Sequence, residues 1–492
     1  MSKFNTKSVA TFKGRTVNLA GGSAFTVDKK FEIISILLTS MVQDQYYRKA
    51  DKTINRLSEL ISTCSDKEFV AKAAVFARKE FGMRSITHVV AGQLARVMSG
   101  SKTEPWLKDF FASIVKRPDD VTEIVSYYKS VSGHPEKIVP IPNSLKKGLA
   151  RAIESFDSYQ LGKYKASKSD VSLVDVVNVV HPKSNEGLTS LVNGTLKSTD
   201  TWESMLVQAG TSDNPKEAKA EVWRDLVSRR KIGYFALLRS MKKIVEQSPD
   251  TVDAACELLL DESMIKKSLV LPFRYQTAIN EIKKEKDSKL YRKVLVALNG
   301  ALDISVNNVP ELDGDTVVVV DASGSMSGRP IEIASLFAAI LAKKNMSDII
   351  LFDYSSKMLS YNPGDTVSSI ANQIMMSASG GATNFDCIFD STNKKYDRIV
   401  IFSDMQGWAG SNRPDKRFRE YQARFNVKPF VHSVDLQGYG TIQFPEDKVC
   451  TSAGFSEKIF DIMKIVESDK NVLIDHIQNI NFSDYLEDSQ VN

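Results

Sequence analysis

The sequence predicts a fold of two parts, an all-helical array followed by an α/β domain built on a parallel sheet. Two observations indicate this. Apolar residues recur at three- and four-residue spacing through about the first 300 residues, and after about residue 309 they form short continuous runs separated by helical stretches. Because the chain has 492 residues and one domain usually takes roughly 100–200, we expect at least two packed units.

The helical part consists of many short amphipathic segments, among them "FEIISILLTSMVQ", "EFVAKAAVFARKEFG" and "WLKDFFASIVK". This spacing is typical of helices with one buried face, and short breaks that carry Gly, Pro, Ser, Asp or Asn divide the segments. The number of these short helices is too large for one helical bundle. They favour stacked pairs, an α-solenoid of the HEAT or armadillo type with degenerate repeats.

The α/β part begins near residue 309. Its strands are the short apolar runs "TVVVVD", "DIILFD", "DRIVIFSD" and "KPFVHSVDL", and "IEIASLFAAILAKK" is one of the helical stretches between them. Continuous apolar strands that alternate with helices predict a parallel sheet covered on both faces. Pro310 and Gly314 suit a linker, so we predict a helical domain over 1–308, an α/β domain over 309–470 and a tail over 471–492.

Charge is divided unevenly between these parts. Residues 1–300 hold 48 Lys and Arg against 34 Asp and Glu, a balance of 48 − 34 = +14, and residues 301–492 hold 17 against 26, a balance of 17 − 26 = −9. A basic surface attracts polyanions, so nucleic acid is the first candidate partner of the helical part. Lysines that only solvate exposed helix faces remain the alternative.

The cysteines and the N-terminus indicate an intracellular protein. Cys64, Cys256, Cys387 and Cys450 lie far apart without a CxxC pair, which argues against a disulfide framework or a zinc site. The first 22 residues lack the apolar core of a signal peptide, and no window approaches the 18 apolar residues of a membrane span. We therefore expect a cytoplasmic location.

A candidate metal site lies where the predicted strands end. Asp321 ends the first strand, Asp404 ends "RIVIFSD", and Ser323, Ser325 and Thr383 stand in the loops between. Parallel strands present their C-terminal ends at one edge of the sheet, and carboxylate and hydroxyl oxygens suit a hard cation such as Mg²⁺. A serine-glycine turn without metal is the alternative. No HExxH, GxSxG or GxxxxGK[ST] motif supplies catalytic machinery, so we expect a binding protein and not an enzyme.

These residues also carry a family resemblance. "DASGSMSG" resembles the DxSxS element of the metal-ion-dependent adhesion site in von Willebrand factor A domains, and Thr383 and Asp404 fit the two remaining ligand positions. The resemblance implies Mg²⁺ whose coordination is completed by water or by an acidic group of a partner.

The helical part resembles the TROVE module of the Ro autoantigen family. The similar pieces are "NLAGGSAFTVD", "FARKEFGMRSITH", "DVVNVVHPK", "FALLRSM" and "KVLVALNGALDISV". This resemblance implies a HEAT-like ring closed by a von Willebrand factor A domain. It also implies binding of structured Y RNAs on the outer basic face, entry of single-stranded 3′ ends of misfolded RNAs into the central hole, and exoribonucleases tethered through the RNA.

Two sets of residues are candidates for RNA contact. The outer set combines a lysine cluster with the "HPK" motif of the resemblance: Lys163, Lys165, Lys168, His181 and Lys183. The second set, for the ring interior, consists of cationic residues within apolar helical stretches: Arg84, His88, Arg239 and Arg274. An intramolecular salt bridge is the alternative for each of the second set, because a partly buried arginine needs an acid, a carbonyl or a phosphate.

From these observations the sequence predicts a non-enzymatic RNA-binding protein. The alternative of another class is a protein-interaction adaptor, in which the metal site captures a carboxylate of a partner and the solenoid is a scaffold. A metal-dependent hydrolase has less support, because no residue in the motif can serve as a base.

Overall fold

The structure is a computed structural model, and it divides into two compact units. It describes residues 12–39, 50–100, 104–132, 140–164, 171–196, 201–268, 270, 272–286, 288–410, 413–439, 441–444, 449–453, 459–460, 463–464, 467 and 472–486. The helical unit comprises Asp28–Thr199 with Asn471–Asn492, and the sheet unit comprises Met1–Val27 with Asp200–Lys470.

The described part of the helical unit consists of helices and one terminal 3₁₀ turn. They are α1 (Lys29–Thr39), α2 (Ala50–Thr63), α3 (Lys67–Lys79), α4 (Ser85–Val97), α5 (Trp106–Ser113), α6 (Pro118–Val131), α7 (Asn143–Glu154), α8 (Ser158–Tyr164), α9 (Leu173–Val180), α10 (Glu186–Val192), α21 (Val472–Gln478) and the turn Phe482–Tyr485. Helices two apart in the chain pack together, α4 on α6 and α5 on α7. The amphipathic spacing in the sequence is explained by this packing, because each helix buries one face against a neighbour.

The C-terminal segment packs on α3 and α5 of this unit. The ring of Phe482 stacks on Trp106 with 5.9 Å between ring centres and meets Phe110 edge-on at 6.0 Å. Lys72 Nζ donates a hydrogen bond of 2.8 Å to the carbonyl of Gln478. The range 471–492, which the sequence set apart as a tail, thus contributes an apolar contact and a helix cap to the helical unit.

Two of the cationic residues proposed for the ring interior have acidic partners on α6. Arg84 forms ion pairs with Asp119 at 2.9 Å, Asp120 at 2.7 Å and Glu123 at 2.7 Å. His88 Nδ1 lies 2.9 Å from Glu123, and its Nε2 lies 3.4 Å from Asp120. Arg84 and His88 thus have the intramolecular ion pairs that the sequence left open as the alternative to RNA contact. These pairs join α4 to α6, and removing one partner would be costly because it would leave a buried charge uncompensated.

This network sets the protonation of its members. Burial lowers the pKa of His88, but hydrogen bonds with Asp120 and Glu123 outweigh it and raise the pKa above 6.5. Burial raises the pKa of Asp120, but His88, Arg78 and Arg84 outweigh that effect and hold it well below 3.8. These shifts favour the charged forms of His88 and Asp120 in the folded state.

We predict that His88 makes stability fall with rising pH. When the pKa of a histidine is higher in the folded state than in the unfolded state, the histidine adds to the free energy of unfolding. This contribution is complete below the unfolded pKa, about 6.5, and it is lost as pH rises through the folded pKa. H88Q should lack this part of the pH dependence, which urea denaturation at a series of pH values from 6 to 9 measures. H181Q, at an exposed position, serves as the control. Equal pH profiles for wild type and H88Q would contradict the assignment.

The described part of the sheet unit joins seven helices to an α/β layer. Its elements are β1 (Phe12–Val17), β2 (Ser23–Val27), α11 (Trp202–Ala209), α12 (Pro215–Ser228), α13 (Tyr234–Gln247), α14 (Val252–Leu259), α15 (Glu262–Ser268), α16 (Pro272–Lys283), α17 (Lys289–Ser305), β3 (Thr316–Asp321), α18 (Arg329–Asn345), β4 (Asp348–Phe352), β5 (Ser356–Leu359), α19 (Val367–Met376), β6 (Arg398–Ser403), α20 (Pro414–Phe425), β7 (Phe430–Asp435), β8 (Thr441–Ile442) and β9 (Val449–Ala453).

The main sheet has six strands in the order β5-β4-β3-β6-β7-β9. All neighbours are parallel except β5, which runs antiparallel to β4. Every residue of β3 and β6 is buried, and Val318 is aligned with Ile349 on one side and Val400 on the other. The continuous apolar runs are explained by this burial on both faces. The predicted fold class, α plus α/β, is confirmed.

The compact units do not follow the predicted domain ranges. The change from helix to strand lies where the sequence placed it, between Ser305 and Thr316. However, α17 is bound to the α/β layer through Asp303, whose carboxylate accepts hydrogen bonds from Lys343 Nζ at 3.0 Å and from the backbone of Val367 at 2.8 Å. Helices α11–α17 therefore belong to the same compact unit as the sheet. Among the described residues, no helix is long and apolar enough to cross a membrane.

An N-terminal hairpin also belongs to the sheet unit. Strands β1 and β2 pair antiparallel, and β2 pairs with β8. In the turn between β1 and β2, Asn18 Nδ2 donates a hydrogen bond of 2.7 Å to the carbonyl of Gly407. The backbone amide of Leu19 donates one of 2.7 Å to Gln406 Oε1. The "NLAGG" motif thus lies on the loop that follows β6. Gly22 allows this approach, because a Cβ there would lie 1.9 Å from the Gly407 carbonyl oxygen.

We predict that Gly22→Ala destabilises the sheet unit. The added methyl group would force the hairpin turn away from Gly407, at a cost of about 1–3 kcal/mol, measurable by thermal denaturation. The matched control is Gly233→Ala, where an added Cβ has no atom within 4 Å. An unchanged melting temperature for Gly22→Ala would show that the turn does not pack on this loop.

Candidate metal centre and nucleic-acid interface

Two carboxylates meet at the C-terminal edge of the sheet. Asp321 is the last residue of β3, Asp404 directly follows β6, and these strands are parallel neighbours. Both side chains are fully buried. Asp321 accepts hydrogen bonds from the backbone of Ser323 at 2.9 Å and from Ser403 Oγ at 2.5 Å. Asp404 Oδ1 accepts from the backbone of Gln406 at 3.1 Å, whereas its Oδ2 has no hydrogen-bond partner among the described residues.

Three buried hydroxyl residues stand in the loops around these acids. Ser323 Oγ and Ser325 Oγ lie 3.2 Å apart. The loop that carries Thr383 is joined to the same turn, since the backbone of Gly380 donates to the carbonyl of Ala322 at 2.9 Å. The elements of all five predicted ligands therefore converge at one edge of the sheet.

The electrostatics of the pair favour a cation. Burial raises the pKa of Asp321 to about 6. Burial and the charge of Asp321 raise the pKa of Asp404 to about 8. Two adjacent buried carboxylates repel each other unless a proton or a cation lies between them. The described residues hold no group of three or more His, Cys, Asp or Glu that could bind a metal, so hydroxyls would have to share the coordination. This all-oxygen donor set fits a hard divalent cation.

Two further aspartates border this edge. Asp353 follows β4, and its charge contributes to the raised pKa of Asp321. Asp435 ends β7 and accepts hydrogen bonds from the backbones of Gln437 at 2.9 Å and Gly438 at 2.7 Å. Sequence reasoning did not select them, although the strand runs "DIILFD" and "KPFVHSVDL" show an aspartate at each strand end.

The loop after Asp404 is held in a strained conformation. Met405 is buried and has φ of 57°, a backbone region that costs of order 1–3 kcal/mol for a residue other than glycine. Its amide donates to Ser403 Oγ at 2.9 Å, and its carbonyl accepts from Gln443 Nε2 at 2.9 Å. Beyond it, the backbone of Trp408 donates to the carbonyl of Thr383 at 3.1 Å. These bonds join the Asp404 loop to the Thr383 loop.

A basic groove lies in the helical unit between α7 and the loop after α9. This groove of about 500 Å³ is lined by Asn143, Lys146, Lys147, Ala150, Arg151, Glu154, Val180, His181 and Lys183. The backbone of Lys183 donates to Glu154 Oε1 at 2.7 Å. His181 adopts a left-handed conformation with φ of 51° at the end of α9 and is exposed. The groove thus presents four lysine or arginine side chains and a histidine against one carboxylate.

The structure brings together some of the predicted outer residues and adds others. His181 and Lys183 both line the groove. Lys163 is exposed at the end of α8, with its Nζ 5.7 Å from the ring centre of Tyr164, and no contact places it in the groove. Lys165 and Lys168 lie outside the described residues.

The α7 cations were missed by sequence reasoning. Lys146, Lys147 and Arg151 line the groove. Lys147 and Arg151 are four residues apart, which puts them on one helix face. The signal was present in "SLKKGLARAIESF", but the spacing alone does not show that this face lies beside His181.

The remaining candidates, Arg239 on α13 and Arg274 on α16, lie beside one aromatic ring. Their guanidinium carbons are 5.9 Å and 5.5 Å from the ring centre of Phe235. The three side chains line a second, smaller cleft. Unlike Arg84 and His88, both arginines are exposed.

Comparison with known proteins places the chain in a family. The TROVE domain family model matches residues 22–192 and 192–297. Telomerase protein component 1 of Rattus norvegicus is 28% identical over 145 residues, which are 29% of this chain and 5% of that protein. The protein of the same name from Mus musculus is 26% identical over the same share of each. The chain therefore spans only about 5% of the length of these relatives.

A solved structure shows the same fold. The crystal structure of the Deinococcus radiodurans RO (RSR) protein aligns with a TM-score of 0.62 at 17% identity, and the alignment covers 90% of this chain and 100% of that one. The family model covers more than half of the residues, and it agrees with the sequence motifs and with the matched fold. The chain therefore belongs to the TROVE domain family.

Proposed function

We propose that this protein binds a structured small RNA as part of a ribonucleoprotein, and that the basic groove of the helical unit contacts the RNA backbone. The observation that carries the proposal is the groove itself. Its concave surface is lined by His181 and by four cationic side chains, which are Lys146, Lys147, Arg151 and Lys183. Lysine and arginine side chains bind phosphates and release condensed counterions, which supplies much of the affinity for RNA.

The internal contacts of the groove support this use. Glu154, the carboxylate of the lining, accepts a hydrogen bond from the backbone of Lys183, so the ammonium group of Lys183 is not needed to satisfy that contact. Arg151 forms an exposed ion pair with Asp109 at 2.7 Å. Exposed pairs contribute roughly 0–1 kcal/mol, so a phosphate can replace the carboxylate of Asp109 at little cost.

The finer parts of the proposal come from the family resemblance. They are a Y-like RNA as the ligand, the 3′ ends of misfolded RNA in a ring hole, and an exoribonuclease tethered through the RNA. They describe RNA quality control by binding and do not require catalysis by this chain.

A protein-interaction adaptor is the second candidate function. One observation favours it: Trp408, four residues after Asp404, is 55% exposed, and exposed tryptophans are enriched at protein interfaces. Partners recovered from cells before and after nuclease treatment separate the two functions. Partners of an adaptor survive loss of the RNA, whereas those of an RNA-tethered complex do not.

We predict that the triple variant Lys146→Gln, Lys147→Gln, Lys183→Gln binds a small hairpin RNA more weakly than the wild type. Loss of three phosphate contacts should reduce the slope of log affinity against log salt by about 2–3. Fluorescence anisotropy at several salt concentrations measures both effects. Melting temperatures should change little, because exposed charges contribute little to folding.

The matched control removes three exposed lysines of the sheet unit, Lys231→Gln, Lys266→Gln and Lys267→Gln, and so changes the net charge equally. If both triple variants lose the same affinity, the interaction depends on net charge and the groove is not the site. If neither loses any, the proposed function is wrong.

We further propose that the edge of the sheet holds Mg²⁺. Asp321 and Asp404 would supply carboxylate oxygens, and Ser323, Ser325 and Thr383 would supply hydroxyls. The support is the pair of buried carboxylates, of which one oxygen of Asp404 has no hydrogen-bond partner among the described residues. The cation would neutralise the pair and fix the three loops relative to one another.

We predict that Mg²⁺ raises the melting temperature of the wild type and not that of Asp404→Asn. A ligand that binds only the folded state adds about 2.7 kcal/mol at a concentration of 100 times its Kd. Thermal denaturation at increasing Mg²⁺, with Asp313→Asn as an exposed control, measures the effect. A wild type that does not respond to millimolar Mg²⁺, or an Asp404→Asn variant that responds equally, would rule out this site.

A further inference from the structure

We infer that Glu154 is a positioning residue of the basic groove: its carboxylate holds the loop after α9 so that His181 and Lys183 stay beside the lysines of α7. The inference rests on the RNA-binding function proposed above, but it concerns the acid of the groove and not its cations. It predicts that a negatively charged residue strengthens the binding of a polyanion.

Glu154 stands where electrostatics alone disfavours a carboxylate. It is the last residue of α7, and the C-terminal end of a helix carries a partial negative charge that disfavours acids. It also lines the groove among cationic side chains, where it would repel the phosphates of a bound RNA. Neither helix stability nor phosphate binding therefore explains an acid at this position.

A hydrogen bond to the neighbouring loop explains it. Glu154 Oε1 accepts a hydrogen bond of 2.7 Å from the backbone amide of Lys183, 29 positions further along the chain. A charged acceptor makes such a bond stronger than a neutral one. The bond therefore ties the loop after α9 to the end of α7, and both of these elements line the groove.

The Lys183 amide is the point at which this loop can be fixed. His181 ends α9 in a left-handed conformation with φ of 51°, and its amide donates to the carbonyl of Val177 at 3.0 Å. Pro182 has no amide hydrogen, so the amide of Lys183 is the next donor along the chain. Its bond with Glu154 sets the direction in which the chain leaves α9, and with it the places of both cationic side chains.

We expect this positioning to outweigh the repulsion between Glu154 and a phosphate. The groove is open to solvent, and salt at physiological ionic strength screens such charges over about 8 Å. The hydrogen bond is a direct contact and is not weakened in this way. Loss of the bond should therefore reduce the affinity for RNA by more than loss of the charge increases it.

The test compares Glu154→Gln with Glu154→Asp, using fluorescence anisotropy of a hairpin RNA with the full chain. Gln keeps an acceptor oxygen at the same reach and removes the charge, so this variant should bind as the wild type or more tightly. Asp keeps the charge but is one methylene group shorter. Its variant should bind about 2- to 12-fold more weakly, which is the equivalent of one hydrogen bond.

The matched control is Glu186→Asp, which shortens an exposed acid in the first turn of α10 by the same methylene group. It should bind as the wild type. The inference is overturned if Glu154→Asp also binds as the wild type, or if Glu154→Gln binds as weakly as Glu154→Asp.

A double-mutant cycle shows whether Glu154 acts through the loop. Lys183→Gln should weaken binding by the wild type but have little further effect in Glu154→Asp, because the ammonium group is then already misplaced. A role in the general stability of α7 would leave the two effects additive, and additive effects would contradict the inference.

Hydrogen exchange at the Lys183 amide, measured without RNA, separates this inference from the proposed function. The amide should exchange faster in Glu154→Asp than in the wild type, because its acceptor is out of reach. An unchanged exchange rate would overturn the inference even if RNA binds in the groove. A wild type that does not bind hairpin RNA would instead refute the proposed function, and with it the role of Glu154 in RNA binding.

Discussion

The burial of two neighbouring carboxylates at the edge of the sheet is the constraint on which the arrangement of the sheet unit depends. Asp321 and Asp404 are fully buried, and a charge in such a place is costly unless dipoles, protons or a cation compensate it. The surrounding loops are shaped to provide that compensation. The turn after β3 directs a backbone amide and two hydroxyls inward, and the strained backbone at Met405 allows the next loop to return toward Thr383. The N-terminal hairpin then fixes this loop through Asn18 and Gln406.

The helical unit satisfies its buried charges differently. There Asp120 is surrounded by Arg78, Arg84 and His88, so opposite charges of the chain itself neutralise the interior. This difference decides which cations are available to a ligand. Arg84 and His88 are partly or fully buried and engaged by acids of α6, whereas the lysines of α7 lie on an open groove. The first group is therefore engaged within the fold, whereas the second faces solvent, where our proposal places the RNA.

The RNA surface that we propose recognises charge. The α7 groove offers point charges on a concave face, which suit the phosphates of a folded RNA without reading its bases.

The sequence by itself determined the two kinds of secondary structure, the position where they change, the five candidate metal ligands and the family. These features are local or depend on spacing: buried strands require continuous apolar runs, and "DASGSMSG" is a contiguous motif. The tertiary structure decided which cations are buried, because the partners of Arg84 lie 35 to 39 positions away on another helix. It also decided that the N-terminal hairpin packs on Gly407 and that the C-terminal segment packs on Trp106. Those contacts join residues nearly 400 positions apart, and their energies depend on the shape of both surfaces, which no pattern within either segment encodes.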